Sequence, residues 1–181
     1  TFAGTRGSPI CLECAAGSYS RVTKSSACTS CPTNTNSGPG SIKIANCTCN
    51  KGYAGPDGVE CTACAAGTYK DVNGSSPCSL CAQGKYSTEA GEISASTCSD
   101  CPANTHSEEG SGLMTNCSCR EGYTGPDGDA CEACDVGSFK DVNGSAACTL
   151  CSQGKYSTAT AAVSEATCTG CPSYTFSGLG S

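Results

Sequence analysis

Apolar side chains are sparse and irregularly spaced along this chain. The large aliphatic residues occur mostly singly, and no stretch repeats them at the interval of an amphipathic helix. Glycine, proline, asparagine and aspartate are frequent, and the clearest turn signals are the GPDG and NG segments. This pattern predicts short strand pairs joined by irregular loops, with almost no helix.

The cysteine pattern repeats along the chain. The spacing of the eight cysteines in 47–101 recurs 70 residues later in 117–171. The residues between them recur as well, since GYAGPDGVECTAC at 52–64 matches GYTGPDGDACEAC at 122–134. A match of this length at fixed spacing defines a tandem repeat array. Both ends of the sequence fall inside a repeat, and we therefore interpret it as an excerpt of a longer polypeptide.

Two kinds of module alternate within one period. A long module contains six cysteines, and a short module is a single loop between two cysteines. The predicted divisions are the tail of a preceding repeat at 1–13, a long module at 14–61, a short module at 62–80, a long module at 81–131, a short module at 132–150 and the start of a third long module at 151–181.

Composition indicates what stabilises such small modules. The 181 residues include 20 cysteines but no tryptophan, one methionine and three phenylalanines. Modules with so few apolar side chains need disulfides or a metal ion in place of a core. Disulfides persist outside the cytosol, and we therefore predict an extracellular protein, either secreted or at the cell surface.

Charge and hydropathy argue against two classes of partner. The net charge is −6, from 10 basic and 16 acidic residues, and no cluster of lysine or arginine is present. Nucleic acid is therefore not an expected partner. No apolar run approaches the roughly 20 residues of a membrane-spanning helix, so no span is expected in this segment.

The CxxC pairs admit two alternatives to structural disulfides. Cys11, Cys14, Cys28 and Cys31 have the spacing of a zinc ribbon. The CxxC pairs do not divide into groups of four, however, and CxC pairs intervene. A redox-active CxxC would accompany a βαβ pattern, which is missing. We therefore predict structural disulfides, with neither a metal ion nor a cofactor.

The segments CLECAAGSYS at 11–20, CTSCPTNT at 28–35 and NCTCNKGY at 46–53 resemble the ephrin-receptor-like cysteine-rich repeat family. The same marks recur at 78–131 and begin again at Cys148. These repeats are similar to epidermal-growth-factor-like modules in their C-terminal half and to tumour-necrosis-factor-receptor modules in their N-terminal half. The resemblance implies a small disulfide-rich fold, with tandem modules in an elongated rod. It leaves function open, because such modules occur in receptors, adhesins and matrix proteins.

The resemblance also implies a disulfide pairing. In the growth-factor-like pattern the first cysteine bonds the third, the second bonds the fourth, and the fifth bonds the sixth, while each short loop closes on itself. The pairs implied are Cys14–Cys31, Cys28–Cys47, Cys49–Cys61, Cys64–Cys78, Cys81–Cys101, Cys98–Cys117, Cys119–Cys131, Cys134–Cys148 and Cys151–Cys171. Cys11 and Cys168 are left over, and their partners are expected upstream and downstream of the sequence.

Four asparagines lie in N-x-S/T sequons and are predicted to carry N-glycans. Asn73 and Asn143 lie in NGS turns, which we expect to be exposed. Asn46 and Asn116 directly precede cysteines. Serine and threonine are abundant, and Thr124 resembles an O-glycosylated position of growth-factor-like modules.

The sequence contains few candidate catalytic residues. His106 is the only histidine, and the corresponding residues in the other repeats are Asn36 and Phe176. Asp71 and Asp141 precede Val-Asn-Gly and are interpreted as turn residues. No Ser–His–Asp set, phosphate-binding glycine loop or paired carboxylates can be recognised, so we do not predict an enzyme.

Aromatic residues recur at three module positions, and we predict that each covers a disulfide in place of a core. A binding stripe is the alternative interpretation. The positions are those of Tyr19, Tyr86 and Tyr156, of Tyr69 and Phe139, and of Tyr53 and Tyr123.

Two functional hypotheses follow. The first is a structural, glycosylated repeat segment of an extracellular filament, a flagellar hair of the mastigoneme type or a matrix protein. Its partners would be copies of itself or other filament and matrix proteins, together with covalent glycans. The second is a set of spacer or ligand-binding repeats in the ectodomain of a cell-surface receptor or adhesin. Near-identity of successive repeats favours the first, because regular repeats give regular lateral surfaces.

Overall fold

The computed structural model describes residues 2–3, 11–22, 25 and 27–181. Within these residues the chain forms ten two-stranded antiparallel sheets, with two residues in each strand, and no α-helix. The short 3-10 helices in this part of the chain are Ile44–Asn46, Ala95–Thr97, Met114–Asn116 and Glu165–Thr167. The predicted class, tandem disulfide-rich modules built from short hairpins, is confirmed.

The chain divides into two compact units. The N-terminal unit comprises Thr1–Leu80 and Glu89–Thr97, and the C-terminal unit comprises Cys81–Thr88 and Cys98–Ser181. The strand pairs of the N-terminal unit are Phe2–Ala3 with Cys11–Leu12, Ser18–Tyr19 with Thr29–Ser30, Thr35–Asn36 with Thr48–Cys49, Tyr53–Ala54 with Thr62–Ala63, and Thr68–Tyr69 with Ser79–Leu80. Those of the C-terminal unit are Lys85–Tyr86 with Ser99–Asp100, Thr105–His106 with Ser118–Cys119, Tyr123–Thr124 with Glu132–Ala133, Ser138–Phe139 with Thr149–Leu150, and Lys155–Tyr156 with Thr169–Gly170.

Nine of these hairpins share one design, which we call a disulfide hairpin. In each of them, the first strand begins four residues after one cysteine. That cysteine forms a disulfide with a second cysteine, and the second strand begins directly after the second cysteine. The Cα atoms of the bonded cysteines lie between 5.6 and 5.8 Å apart, within the usual range for a disulfide. The disulfide hairpins are 14–30, 31–49, 49–63, 64–80, 81–100, 101–119, 119–133, 134–150 and 151–170.

A residue with positive φ allows the tight turn at the start of each disulfide hairpin. The third residue after the first cysteine adopts this conformation, with φ of 78° at Gly17 and 60° at Asn34. The next residue then donates a backbone hydrogen bond three residues back, as Ser18 N–H does to Ala15 O at 3.1 Å. Glycine adopts positive φ without steric cost, and asparagine tolerates it better than most residues do. The sequences CxxG and CPxN therefore encode the same turn.

The disulfides join consecutive cysteines, which corrects the growth-factor-like pairing. Cys14 bonds Cys28 and Cys31 bonds Cys47, whereas the resemblance implied Cys14–Cys31 and Cys28–Cys47. The turn after Cys14 pairs the two strands of the hairpin so that Cys14 lies next to Cys28, which directly precedes the second strand. Cys31 lies beyond the end of that strand. Each of the nine described disulfides therefore closes one hairpin, and no two of these nine interlock.

The same correction applies to the C-terminal unit. Its cysteines bond as Cys81–Cys98, Cys101–Cys117 and Cys151–Cys168, in place of Cys81–Cys101, Cys98–Cys117 and Cys151–Cys171. Cys168, for which a downstream partner was expected, is thus bonded, and Cys171 forms no disulfide with any described cysteine. The other four pairs coincide with those implied, namely Cys49–Cys61, Cys64–Cys78, Cys119–Cys131 and Cys134–Cys148. The prediction for Cys11 lies outside the described side chains.

Disulfides and backbone occupy the interior of the units, and most of the buried apolar residues are cysteines. One larger cluster consists of Phe139, Ala162 and the bonded pair Cys151 and Cys168. Here an aromatic ring from one hairpin covers the disulfide of the next, as predicted for this position. Tyr156 is more exposed, at 38%. A disulfide that closes a loop of about 15 residues contributes roughly 3 kcal/mol in the chain-entropy model, which compensates for the small apolar core.

Candidate functional sites

Backbone hydrogen bonds join successive disulfide hairpins. Between hairpins 49–63 and 64–80, Gly52 N–H donates to Lys70 O at 2.9 Å, and Gly74 N–H donates to Cys49 O at 2.8 Å. We call this contact a lysine joint, and it recurs in the C-terminal unit between hairpins 119–133 and 134–150. The recurring bonds are Gly122 N–H to Lys140 O and Gly144 N–H to Cys119 O, both at 2.8 Å.

A buried ammonium group lies inside each lysine joint. Lys70 is only 2% exposed, and its Nζ donates to Tyr53 O at 2.7 Å and to Gly74 O. The ammonium therefore connects the first strand of the preceding hairpin to the loop of its own hairpin. Lys140 is equally buried and makes the same contacts, with Tyr123 O and Gly144 O. Lysines this deeply buried are rare, because the charge must be compensated by polar groups.

Carbonyl groups provide the hydrogen-bond acceptors that compensate this charge. Among the described residues, no carboxylate lies within ion-pair distance of either ammonium. Burial lowers the pKa of Lys70 and of Lys140 below the ordinary lysine value, and the more weakly acting carboxylates of Asp57 and Asp127 oppose the shift. Sequence analysis missed both lysines. The available signal was the recurrence of KDVNG at 70–74 and 140–144.

Serine replaces lysine at the same place in other hairpins. Ser37, like Lys70, lies six residues after the first cysteine of its hairpin, and its Oγ donates to Ser18 O at 3.0 Å. This acceptor is the first residue of the preceding hairpin's first strand, as Tyr53 is in the lysine joint. In the C-terminal unit Ser107 Oγ donates to Lys85 O at 3.0 Å and Ser177 Oγ donates to Lys155 O at 2.7 Å.

The two NGS sequons form part of the lysine joints. Asn73 Oδ1 accepts a hydrogen bond from Lys51 N–H at 3.0 Å, and Asn143 Oδ1 accepts one from Glu121 N–H at 3.1 Å. Both asparagines are exposed. Within the described part of the chain, neither side-chain Nδ2 donates a hydrogen bond. Because an N-glycan is attached through Nδ2 and leaves Oδ1 in place, glycosylation is compatible with both hydrogen bonds.

The other two sequons lie at the ends of 3-10 helices. Asn46 Oδ1 accepts from Lys43 N–H at 3.2 Å, and Asn116 Oδ1 accepts from Leu113 N–H at 2.9 Å. Asn116 is exposed, whereas Asn46 is half-buried. Both directly precede a buried, disulfide-bonded cysteine. Glycosylation of all four asparagines stays a prediction.

Two open, shallow clefts lie beside the sequons. The cleft in the N-terminal unit has a volume of about 330 Å³, and the cleft in the C-terminal unit has a volume of about 300 Å³. Asn36, Asn46, Thr48 and Asn73 are among the residues that line the first, and His106, Arg120, Glu121, Asn143 and Val163 line the second. His106 Nε2 lies 3.3 Å from Gln83 Nε2 and 3.4 Å from Glu108 Oε1, in a partly exposed polar cluster.

The zinc alternative conflicts with the disulfides. Cys14, Cys28 and Cys31 are all bonded to other cysteines, so their sulfur atoms are not available as thiolate ligands. Across the described ranges, no group of three or more His, Cys, Asp or Glu residues could hold a metal ion. The described part of the chain also contains no helix that is both long and apolar enough to cross a membrane.

The geometry defines a class of protein, a tandem array of disulfide hairpins. Residues 52–91 and 122–168 match the model of the family described as tyrosine-protein kinase ephrin type A/B receptor-like. The predicted resemblance to ephrin-receptor-like cysteine-rich repeats is confirmed in these two segments. The matched segments begin at Gly52 and Gly122, which are equivalent positions of the two repeats. No curated protein matches the chain.

Proposed function

We propose that this chain is a structural, glycosylated repeat segment of an extracellular filament, flagellar hair or matrix protein. The observation that carries the proposal is the repetition of one joint. The lysine joint and its sequon recur with the same hydrogen bonds in both units, 70 residues apart in the sequence. Selection for a fixed, repeated backbone geometry accounts for this more directly than selection for a single binding or catalytic centre.

The chemistry of the chain supports an extracellular setting. The nine disulfides among the described residues need an oxidising compartment. The family match, to repeats described as receptor-like, points in the same direction. We further propose that the segment is not an enzyme, because the clefts beside the sequons are open and shallow, and most of the polar side chains that line them form hydrogen bonds with backbone groups.

Repeated apolar positions support lateral contacts between copies of the chain or with other filament proteins. Leu80 and Leu150 are equivalent and are 53% and 49% exposed. Ile93 and Val163 form a second equivalent pair of exposed residues. An apolar side chain that recurs at fixed sequence spacing supplies the same contact in every repeat, and a heterologous contact that does not close produces an open filament.

A second candidate function is a spacer in the ectodomain of a receptor or adhesin. The family match favours this candidate, since it also fits the extracellular part of a receptor. In that case the chain is expected to behave as a monomer tethered at the cell surface. One diverged repeat is then expected to carry the ligand site.

Imaging and mass measurement distinguish the two candidates. Protein isolated from its source is expected to form filaments in negative stain whose axial repeat corresponds to one or two modules. The double variant Leu80→Asp/Leu150→Asp is expected to prevent assembly, because it places charges in the repeated contact. Val59→Asp is the matched control, since Val59 is 52% exposed but corresponds to Asp129 in the next repeat. A monodisperse monomer that binds a soluble ligand would instead establish the receptor role.

A further inference from the structure

We infer that the Asn73–Gly74 and Asn143–Gly144 bonds are conditional deamidation sites, which the lysine joints hold inactive in the folded protein. These are the only Asn-Gly pairs in the sequence. The inference goes beyond the proposed structural role, because it concerns the fate of asparagines that carry no glycan. It identifies a spontaneous modification whose rate reports whether each joint is closed.

The reaction requires no enzyme and no reactant other than water. The backbone nitrogen of the glycine loses its proton and attacks Cγ of the asparagine, which forms a five-membered succinimide. The side-chain Nδ2 leaves as ammonia after taking up a proton. Water then opens the ring to give aspartate or isoaspartate, so asparagine and water are converted to the acid and ammonia. Glycine makes this attack easy, because it has no side chain to hinder the approach.

The joint holds the attacking atom away from the reaction. Gly74 N–H donates to Cys49 O at 2.8 Å, and Gly144 N–H donates to Cys119 O at the same distance. Attack needs this nitrogen deprotonated and free, so the hydrogen bond must break first. The glycines also have fixed backbone angles, with φ of 125° and 124°.

The joint also fixes the group under attack. Asn73 Oδ1 accepts from Lys51 N–H at 3.0 Å, which anchors the side-chain amide to the preceding hairpin. Lys70 Nζ binds Gly74 O from the buried side of the same loop. Nucleophile, electrophile and following carbonyl are therefore all held by groups of the joint. The reaction has to wait until the whole loop opens, which is a local unfolding event.

The product keeps the joint open. Isoaspartate adds a methylene to the main chain between residues 73 and 74, and this displaces Gly74 N–H from Cys49 O. A glycan on Asn73 blocks the reaction, because the substituted amide nitrogen is a poor leaving group. The same argument applies to Asn143, which makes the equivalent contact with Glu121 N–H at 3.1 Å.

The test uses a chain without the two NGS glycans. Ser75→Ala and Ser145→Ala remove both sequons and leave the Asn-Gly bonds intact. The oxidised protein and its fully reduced, alkylated form are incubated at physiological pH and temperature, and peptide mass mapping follows aspartate and isoaspartate at each site. Both sites are expected to react at least about tenfold more slowly in the oxidised protein, which corresponds to an opening free energy of about 1.4 kcal/mol.

Each joint then serves as the control for the other. Lys70→Met is expected to accelerate deamidation at Asn73 and to leave Asn143 in the same molecule unchanged, and Lys140→Met is expected to do the reverse. Lys51→Met, which alters an exposed lysine beside Asn73, is expected to have no effect. Equal deamidation rates in the oxidised and reduced forms of the parent chain would overturn the inference, and no lysine variant would be needed for that conclusion. An unchanged rate at Asn73 in a correctly oxidised Lys70→Met protein would also overturn it.

Discussion

At the scale of single residues, the buried lysines are the most informative feature. Lys70 and Lys140 are each only 2% exposed, so their ammonium groups lose most of their hydration, and two carbonyl oxygens replace it in each case. The long lysine side chain reaches a preceding hairpin whose two bonded cysteines are 12 residues apart in the sequence. A serine side chain is long enough to make the equivalent hydrogen bond where the bonded cysteines of the preceding hairpin are 14 or 17 residues apart. The side chain at this position therefore varies with the size of its neighbour.

Replacement of the lysine tests its contribution to the joint. Lys70→Met keeps most of the aliphatic side chain but leaves Tyr53 O and Gly74 O without their ammonium donor. We expect the opening free energy of this joint to fall by about 1–3 kcal/mol, the cost of unsatisfied buried acceptors. Amide hydrogen exchange at Gly52 and Gly74 measures it directly, because both N–H groups donate across the joint. Unchanged protection at these two amides would show that the ammonium contributes nothing.

The lowered pKa of these lysines predicts the direction of a pH effect. Because burial lowers the pKa of Lys70 and Lys140 in the folded state, the unfolded chain binds more protons between that lowered value and the ordinary one. Stability is therefore expected to rise with pH through this alkaline window and to be independent of these groups below it. Thermal unfolding of protein with Cys171 alkylated provides the measurement, and the Lys70→Met/Lys140→Met variant provides the reference. Parallel pH profiles for the two proteins would contradict the assignment.

At the scale of the hairpin, the left-handed turn residue determines how the chain reverses. Asn104 has φ of 61°, and its Nδ2 donates to Cys131 O at 2.9 Å, so this side chain also binds the following hairpin. Asn104→Gly keeps the backbone conformation and loses only that hydrogen bond. Asn104→Ala loses the same bond but keeps a Cβ in the left-handed conformation without the polar side chain that lets asparagine tolerate it, which costs about 1–2 kcal/mol relative to the glycine variant. We expect alanine to be the more destabilising of the two substitutions in thermal unfolding, and equal effects would show that the turn is not strained.

The disulfide pairing gives a further prediction for the hairpin. Peptide mapping of unreduced protein is expected to recover Cys81 linked to Cys98 and Cys101 linked to Cys117. Recovery of Cys81 linked to Cys101 would restore the interlocked growth-factor-like pattern. Because each disulfide closes only its own hairpin, the double variant Cys64→Ser/Cys78→Ser is expected to leave all the other linkages unchanged.

The sequence predicted the hairpins better than it predicted their disulfides. Turns were recognisable in the GPDG and NG segments, where the structure has glycines with positive φ, as at Gly58 and Gly74. The disulfide pairing was not recognisable, because Cys28 and Cys31 lie only three residues apart and cysteine spacing alone does not show which of them bonds Cys14. Strand register decides between them, and it is determined by contacts that a cysteine pattern does not encode. Lys70 was missed because a charged residue in a polar sequence normally indicates exposure.

At the scale of the whole molecule, stability is distributed over many small elements. Each disulfide hairpin has its own covalent closure, and within each unit its hydrogen bonds are mainly to the next hairpin. The free energy of unfolding of such an array is approximately the sum of the intrinsic stability of each repeat and a contribution from each interface between neighbouring repeats. Local opening of a joint is therefore expected to be the process that a substitution within that joint changes most.

This view predicts that the two lysine joints behave independently. Their equivalent atoms lie 70 residues apart in the sequence, and no group participates in both joints. Lys140→Met is therefore expected to lower amide protection at Gly122 and Gly144 while protection at Gly52 and Gly74 stays as in the parent protein. The effects of Lys70→Met and Lys140→Met should then add to within about 0.5 kcal/mol in the double variant, as they do for sites without shared partners. Loss of protection at Gly74 on substitution of Lys140 would show that the array opens cooperatively, and the description by nearest neighbours would then have to be abandoned.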